Sequence, residues 1–381
     1  MKGKNMSKIS AKSGSISAGG REIITVFFIA LLSRLFIFAA ALIAYRLSGG
    51  DRTLTEIFTA GTAGDAPHYM YIAEHWYTNV GEKANLIVFY PLYPMLIALF
   101  RVFLRSYALS GIVISYLSFS VAACYLYKLL RLDYDSEKTA YGMAGFFAGL
   151  FGIFFISAHT ESLFVMLVAM ALYYTRQRNW LAVGILGFFA ALSKTQGVLL
   201  FLPAAYEIIV DAIKNKNFSK KSLFVLLIPL GFFSYLLLNY IVAGDFFKFV
   251  EYQAAAPWYN TSKWIADSLS TSYGVGVGHF GLSLFLYWPQ IILFFVAVFA
   301  IFYGVYKKVP TMYLIFIGAY TGATYFHGWM LSGGRYITSC LPLYIVYASI
   351  DNKYVKNLIL LIEGILCLHI AVMWLQGQSI M

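Results

Sequence analysis

Charge is what this sequence has least of. Lys, Arg, Asp and Glu make up 12% of its 381 residues, against roughly 25% in an ordinary soluble domain. Hydrophobic residues fill 60% and the mean hydropathy is +0.72, which excludes a soluble globular domain. The apolar runs do not alternate with polar residues over strand-length segments, and this excludes a membrane β-barrel. Cysteine is scarce, and Cys124, Cys340 and Cys367 all sit in apolar runs without metal-ligand spacing. They read as small buried hydrophobes. No internal repeat is visible. What remains is an all-α, multi-pass helical membrane protein with no soluble domain.

The scarce charge is also one-sided, with a formal net charge of +11. The Lys and Arg residues lie in short connections between apolar runs, where the positive-inside rule places them on the cytoplasmic side. They form no stripe with interleaved aromatics, so nucleic acid is not expected as a partner; membrane lipid is.

Residues 1–21, rich in Lys, Ser and Gly, are expected to be a disordered cytoplasmic tail, followed by one transmembrane domain over 22–381. The first span, about 22–47, starts inside and ends outside. Arg34 lies near its middle, where a charge is expensive. It is either functional or paired with a carboxylate on a neighbouring helix. Residues 48–106 form a first outside loop with juxtamembrane helices, one predicted over 66–78 with Asp65 as N-cap and Pro67 in its first turn. Asp65, His68, Tyr69 and Ile72 then share a face. The segment 91–105 carries Arg101 and Arg105 and is short for a span; charge counting places it on the outer surface. Spans follow at about 107–130, 139–157, 160–176, 179–194, 197–210 and 222–243. After a second outside loop at 244–285 come spans at 286–306, 311–330, 336–350 and 357–376, about eleven in all.

This topology gathers four polar features on the outer side. They are Asp65 with His68 and Tyr69; His159-Thr160-Glu161; Ser193-Lys194-Thr195-Gln196-Gly197; and His327 with Arg335-Tyr336. Carboxylates and fixed cations at one face suit a reaction that removes a proton and releases an anion. No Asp-x-Asp pair occurs in the Asp65 stretch, so a divalent metal is open but not indicated. No other cofactor is expected.

Three stretches carry a resemblance. Asp65-Ala66-Pro67-His68-Tyr69, Ile72-Ala73-Glu74-His75 and Phe89-Tyr90-Pro91-Leu92-Tyr93-Pro94 resemble the PIG-V family, the second mannosyltransferase of GPI-anchor synthesis, and its prokaryotic relatives. Thr160-Glu161-Ser162-Leu163-Phe164, Ser193 to Gly197, and Arg335-Tyr336 with Pro342-Leu343 continue it over about residues 25–345. Gly64 stands where that family carries Trp, and Lys194 where it carries Arg, so a planar fork becomes a point charge.

The resemblance implies a glycosyltransferase of the GT-C type in a prokaryotic cell membrane, with its active site on the extracytoplasmic side. Its donor would be a polyprenyl-phosphate sugar, most naturally mannose, and its acceptor a hydroxyl on a lipid-linked or extracytoplasmic molecule. Asp65 would be catalytic. His68, Tyr69, Glu74, His75, Tyr93, Glu161, Lys194, Gln253, Trp258, His327, Arg335 and Tyr336 would bind substrate. Two other classes fit the composition. A lipid or sugar transporter would suit the polar break near residue 195, though repeat symmetry is missing. A non-catalytic scaffold subunit would not need Asp65.

Overall fold

The computed structural model describes residues 19–53, 64–214, 216, 219–278, 286–328 and 332–378. Most of the expected N-terminal tail, and parts of both outside loops, lie outside the described residues. Among these residues the chain is helical and has no strand. The helices are α1 Gly20–Leu47, α2 Ala66–His75, α3 Leu92–Leu104, α4 Tyr107–Asp133, α5 Ser136–Ala148, α6 Glu161–Arg176, α7 Trp180–Ser193 and α8 Phe201–Lys214. They continue with α9 Leu227–Ala243, α10 Lys248–Ala254, α11 Ile265–Gly278, α12 Trp288–Tyr306, α13 Thr311–Tyr325, α14 Gly333–Thr338, α15 Pro342–Ala348 and α16 Lys353–Leu375. Short 3-10 segments at Thr195–Leu200 and Lys220–Leu226 extend α8 and α9 at their starts.

Among the described residues, six helical segments are long and apolar enough to cross a membrane: Gly20–Leu47, Tyr107–Asp133, Thr195–Lys214, Lys220–Ala243, Trp288–Tyr306 and Lys353–Leu375. A seventh is reached only by counting Glu82–Val88 and α3 together, and that pair is bent by 107°. These long segments account for six of the about eleven expected spans. The segments expected at 139–157, 160–176, 179–194, 311–330 and 336–350 form α5, α6, α7, α13 and the α14–α15 pair, none longer than 16 residues. α6 and α7 come close to their expected lengths, whereas 139–157 breaks at 149–151 and 336–350 breaks at 339–341. At 1.5 Å per residue, α6 spans about 24 Å.

Two of the short helices, α6 and α7, run between the same two ends as α4. Glu161 starts α6, and at its other end Arg176 pairs with Asp133, the last residue of α4, at 2.6 Å. Ser115, in the first half of α4, donates to the carbonyls of Ser157 (2.8 Å) and His159 (3.2 Å) beside Glu161. α4 and α6 are thus parallel neighbours, and α7 returns from the Arg176 end to Lys194. At that far end Arg178 pairs with Glu207 and Asp211, and Lys138 and Lys307 share Asp351.

α3 does not make this journey. Its Tyr93 donates to Gly111 O at 2.9 Å, near the start of α4, and Arg105 ends it in a left-handed turn (φ 56°) just before Tyr107. It covers only the first turns of α4. Leu92, Tyr93 and Ile97 are buried, whereas Met95, Leu99, Val102 and Phe103 face outward.

Arg34 is fully buried in α1 and has no carboxylate partner among the described residues. Its guanidinium donates to the carbonyls of Phe147 and Gly152 and lies over the Phe119 ring at 4.4 Å. These carbonyls flank the end of α5 and the turn that leads to His159 and Glu161. The expected carboxylate pairing is replaced by capping of a broken helix, which satisfies acceptors that have no partner of their own. Tyrosine hydroxyls serve other breaks. Tyr77 donates to Phe89 O, Tyr235 to Ile87 O and Tyr344 to Thr338 O, each at 2.7–2.8 Å.

Candidate active site

The turn carrying Asp65 sets the site's first carboxylate. Asp65 precedes α2, but its side chain makes no capping bond, and the helix ends at His75 rather than at 78. Its carboxylate points away from the helix start, and Oδ2 lies 2.8 Å from Arg335 Nη1. Arg335 is on α14 and only 5% exposed. Its Nε lies 3.2 Å from Glu161 Oε1, and the same oxygen accepts from Lys194 Nζ at 2.7 Å. Two cations thus face two carboxylates, and the cluster is neutral as a whole. Glu161 Oε2 is buried without a hydrogen-bond partner among the described residues.

Local backbone explains why Lys194 can reach inward. α7 stops at Ser193 and Lys194 is fully extended (φ −158°, ψ 149°). The chain then folds back so closely that a Cβ on Gly197 would lie 2.1 Å from the Ala190 backbone. Only glycine fits there. The ammonium sits 4.2 Å from the centre of the Tyr336 ring, a cation–π contact added to its ion pair.

This cluster forms the floor of a cavity of about 970 Å3, at the upper end of the range for small-molecule sites. Asp65, Tyr69, Lys194, Gln253, Trp258, His327, Arg335 and Tyr336 all line it. Three expected residues stand behind the lining. His68 packs against Phe89 and Trp258, ring centres 5.1 and 5.5 Å away. Tyr93 lies edge-on beneath Tyr69, and Glu161 is buried under the two cations. Glu74 and His75 are not brought to the site. They lie at the exposed end of α2 beside each other, and His75 stacks on Tyr71. Trp76 (φ 64°) turns the chain away directly after them.

The charges shape the titration of the loop groups. Burial pushes the Asp65 carboxyl up, but Arg335 and then His159 pull it down, and the net lies below its ordinary value. Burial lowers His68, against the opposing pull of Asp65, so its ring is neutral at pH 7. Burial, then Asp65, holds the Tyr69 hydroxyl well above its ordinary value, so it serves as a donor and not a base.

Sequence reasoning places His159 in one of the four polar features but gives a role only to its neighbour Glu161. His159 is fully buried, with Nδ1 2.8 Å from Ser157 Oγ and Nε2 without a hydrogen-bond partner among the described residues. Burial brings it down to about 4. Asn260 and Thr324 also line the cavity without having been singled out. As neutral residues in apolar or loop context they carry no sequence signal. Among the described residues no three His, Cys, Asp or Glu side chains group to hold a metal ion.

Comparison with known proteins gives no match to any family model, curated protein or solved structure. Functional reading therefore rests on the site's geometry and on the motifs that deliver its residues.

Proposed function

We propose that this chain is an integral-membrane glycosyltransferase that moves a sugar, mannose in the first instance, from a polyprenyl phosphate to an acceptor hydroxyl with inversion. The observation that carries the reading is the Asp65–Arg335–Glu161–Lys194 cluster on the floor of a large cavity at one end of an apolar helix bundle. Each of these residues comes from a motif that resembles the PIG-V family. In this reading all eleven segments cross, five as short helices completed by turns, while α3 lies in the outer interface on its apolar face. The basic far end is cytoplasmic and the cavity opens on the extracytoplasmic side of a prokaryotic cell membrane.

The reaction needs a base and a sink for negative charge. The acceptor oxygen bonds to the anomeric carbon as the bond from that carbon to the phosphate oxygen breaks. The acceptor proton goes to Asp65, and the bonding electrons leave with the phosphate. Lys194 and Arg335 stabilise that charge in a site from which water is largely withdrawn. Arg335 links the two events. When the donor phosphate draws Arg335 away from Asp65, the carboxylate loses the cation that holds its proton affinity down and becomes a better base. A flippase reading is less favoured because the charges sit at one end of the bundle and not near its middle.

The test is direct. Purified protein is incubated with labelled polyprenyl-phosphate mannose and a lipid extract of the source membrane. A labelled product formed by wild type and not by Asp65→Asn supports the proposal. Absence of any transferred label with intact donor overturns it.

A further inference from the structure

The cavity has two chemically distinct sides. Its floor holds charges that already cancel. The facing wall carries Gln253 at the end of α10, Trp258, Asn260, Thr261 and Ser262 from the segment between α10 and α11, and Thr324 from α13. None of these is charged. Three of them have buried polar atoms without a hydrogen-bond partner among the described residues: Trp258 Nε1, Asn260 Oδ1 and Thr324 Oγ1. That set is one donor, one acceptor and one hydroxyl that can be either. Such groups rarely stay orphaned in a folded protein, and a partner recovers what their burial costs.

The orphaned set selects among ligands. A phosphate or carboxylate supplies acceptors only and leaves Asn260 Oδ1 unpaired. An ammonium supplies donors only and leaves the indole N–H unpaired. A hydroxyl supplies both. The rings beside these groups suit the same ligand. Phe89 and Trp258 pack edge to face, centres 5.4 Å apart, and offer apolar surface against which the C–H face of a sugar can lie.

We propose that this wall is the acceptor subsite and that the acceptor's reacting headgroup is a neutral, polyhydroxylated group, a glycosyl or polyol unit bearing neither phosphate nor amine. Its role as acceptor rests on the transferase reading above; its binding chemistry does not. Pro257 and Tyr259 beside Trp258 are exposed, so the segment has room to turn the indole N–H and the Asn260 amide toward a ligand. Trp258 also touches His68 on α2, which sets the wall next to Asp65, where an acceptor hydroxyl must lie to lose its proton.

The experiment uses the full chain in phosphatidylcholine nanodiscs and three probes with one tail: octyl mannoside, octyl phosphate and octylammonium, all below micellar concentrations. Binding is read by equilibrium dialysis. The mannoside is expected to bind at least tenfold more tightly than octylammonium, while octyl phosphate is expected at the Lys194–Arg335 end of the cavity, where the donor phosphate is placed. Trp258→Phe, which keeps a ring and removes the N–H, and Asn260→Ala should each weaken mannoside binding about two- to tenfold, the worth of one neutral hydrogen bond. Neither should change binding of the charged probes, and unchanged melting temperatures show that both variants fold. Octylammonium binding as tightly as the mannoside overturns the proposal, as do octyl phosphate binding weakened by either wall variant and full mannoside affinity in both variants. Mannoside binding weakened by the wall variants, without sugar transfer from polyprenyl phosphate, sustains the subsite and removes the transferase reading. Transfer with mannoside affinity unchanged in both variants does the reverse.

Discussion

Arg335 Nη1 lies 2.8 Å from Asp65 Oδ2, so the last motif of the chain closes directly on the first. Asp65→Asn removes the carboxylate and keeps the side chain's size. Arg335 retains Glu161, so the protein should remain folded. Transfer should fall about 100-fold or more, since a positioned general base contributes about 10²–10⁴-fold. The assay is labelled transfer at equal amounts of folded protein. Near wild-type turnover in Asp65→Asn would take the base role from this residue.

Glu161 bears on stability more than on the chemical step. It is 1% exposed and one of its oxygens holds both Lys194 and Arg335. Glu161→Gln leaves Lys194 buried without its carboxylate and should cost about 3–5 kcal/mol, as breaking a buried pair does. Adding Lys194→Met removes the stranded cation and should restore part of the loss. Thermal melts of the two single variants and the double variant give the coupling, and additive losses would show that the pair is not coupled.

Lys194 has a separate catalytic expectation. Lys194→Gln should weaken donor binding about ten- to a hundredfold, because one charge-assisted contact is worth about 1.5–3 kcal/mol. Acceptor binding should change little. Lys194→Arg keeps the charge and much of the activity. The Tyr336 ring, 4.2 Å from the ammonium, limits how well the larger guanidinium fits. Dialysis against labelled donor measures this, and undiminished donor affinity in Lys194→Gln would exclude it from the phosphate site.

Acid should loosen this protein before it protonates the carboxylates. His159 is lowered from 6.5 to about 4 by burial, so the unfolded chain binds a proton that the folded one refuses. Its contribution is fully present above pH 6.5 and is lost as the pH falls toward about 4, at roughly 1.4 kcal/mol per pH unit. Asp65, held below its ordinary 3.8, adds a further loss only below that value. His159→Asn should flatten melting temperature against pH between 6.5 and 4.5. An unchanged slope would assign the acid sensitivity elsewhere.

Arg34→Met should destabilise by about 1–3 kcal/mol for each carbonyl left without a donor. Transfer should fall with it, because the turn that Arg34 pins leads to Glu161. Arg34→Lys can reach one of the two carbonyls and should lie between. Equal melting temperatures for Arg34→Met and wild type would show that the cap contributes nothing.

Much of this arrangement was legible in the sequence, for a physical reason. In a chain so poor in charge, Asp65, Glu161, Lys194 and Arg335 each interrupt an apolar run, and charge counting puts all four at the same end. What sequence could not supply was register and interruption. The α2 helix ends three residues earlier than its pattern predicts, and this leaves Glu74 and His75 in the open. Continuous apolar stretches such as 139–157 look like full spans until the backbone breaks near Gly149 and a buried arginine caps the break. Asn260 and Thr324 are neutral and locally unremarkable; only the folded cavity shows that their polar atoms lack partners.

The tyrosine that closes the break between α14 and α15 has a consequence for permeability. An interrupted helix in a bilayer leaves loose carbonyls that must find a partner. Here Tyr344 brings its own O–H group to the carbonyl of Thr338, the last residue of α14. Its ring is buried, and the hydroxyl stands where a water would otherwise bind. An interrupted span can therefore remain an insulator. Tyr344→Phe, which changes almost no volume, should make proteoliposomes leak protons before it makes the protein unfold.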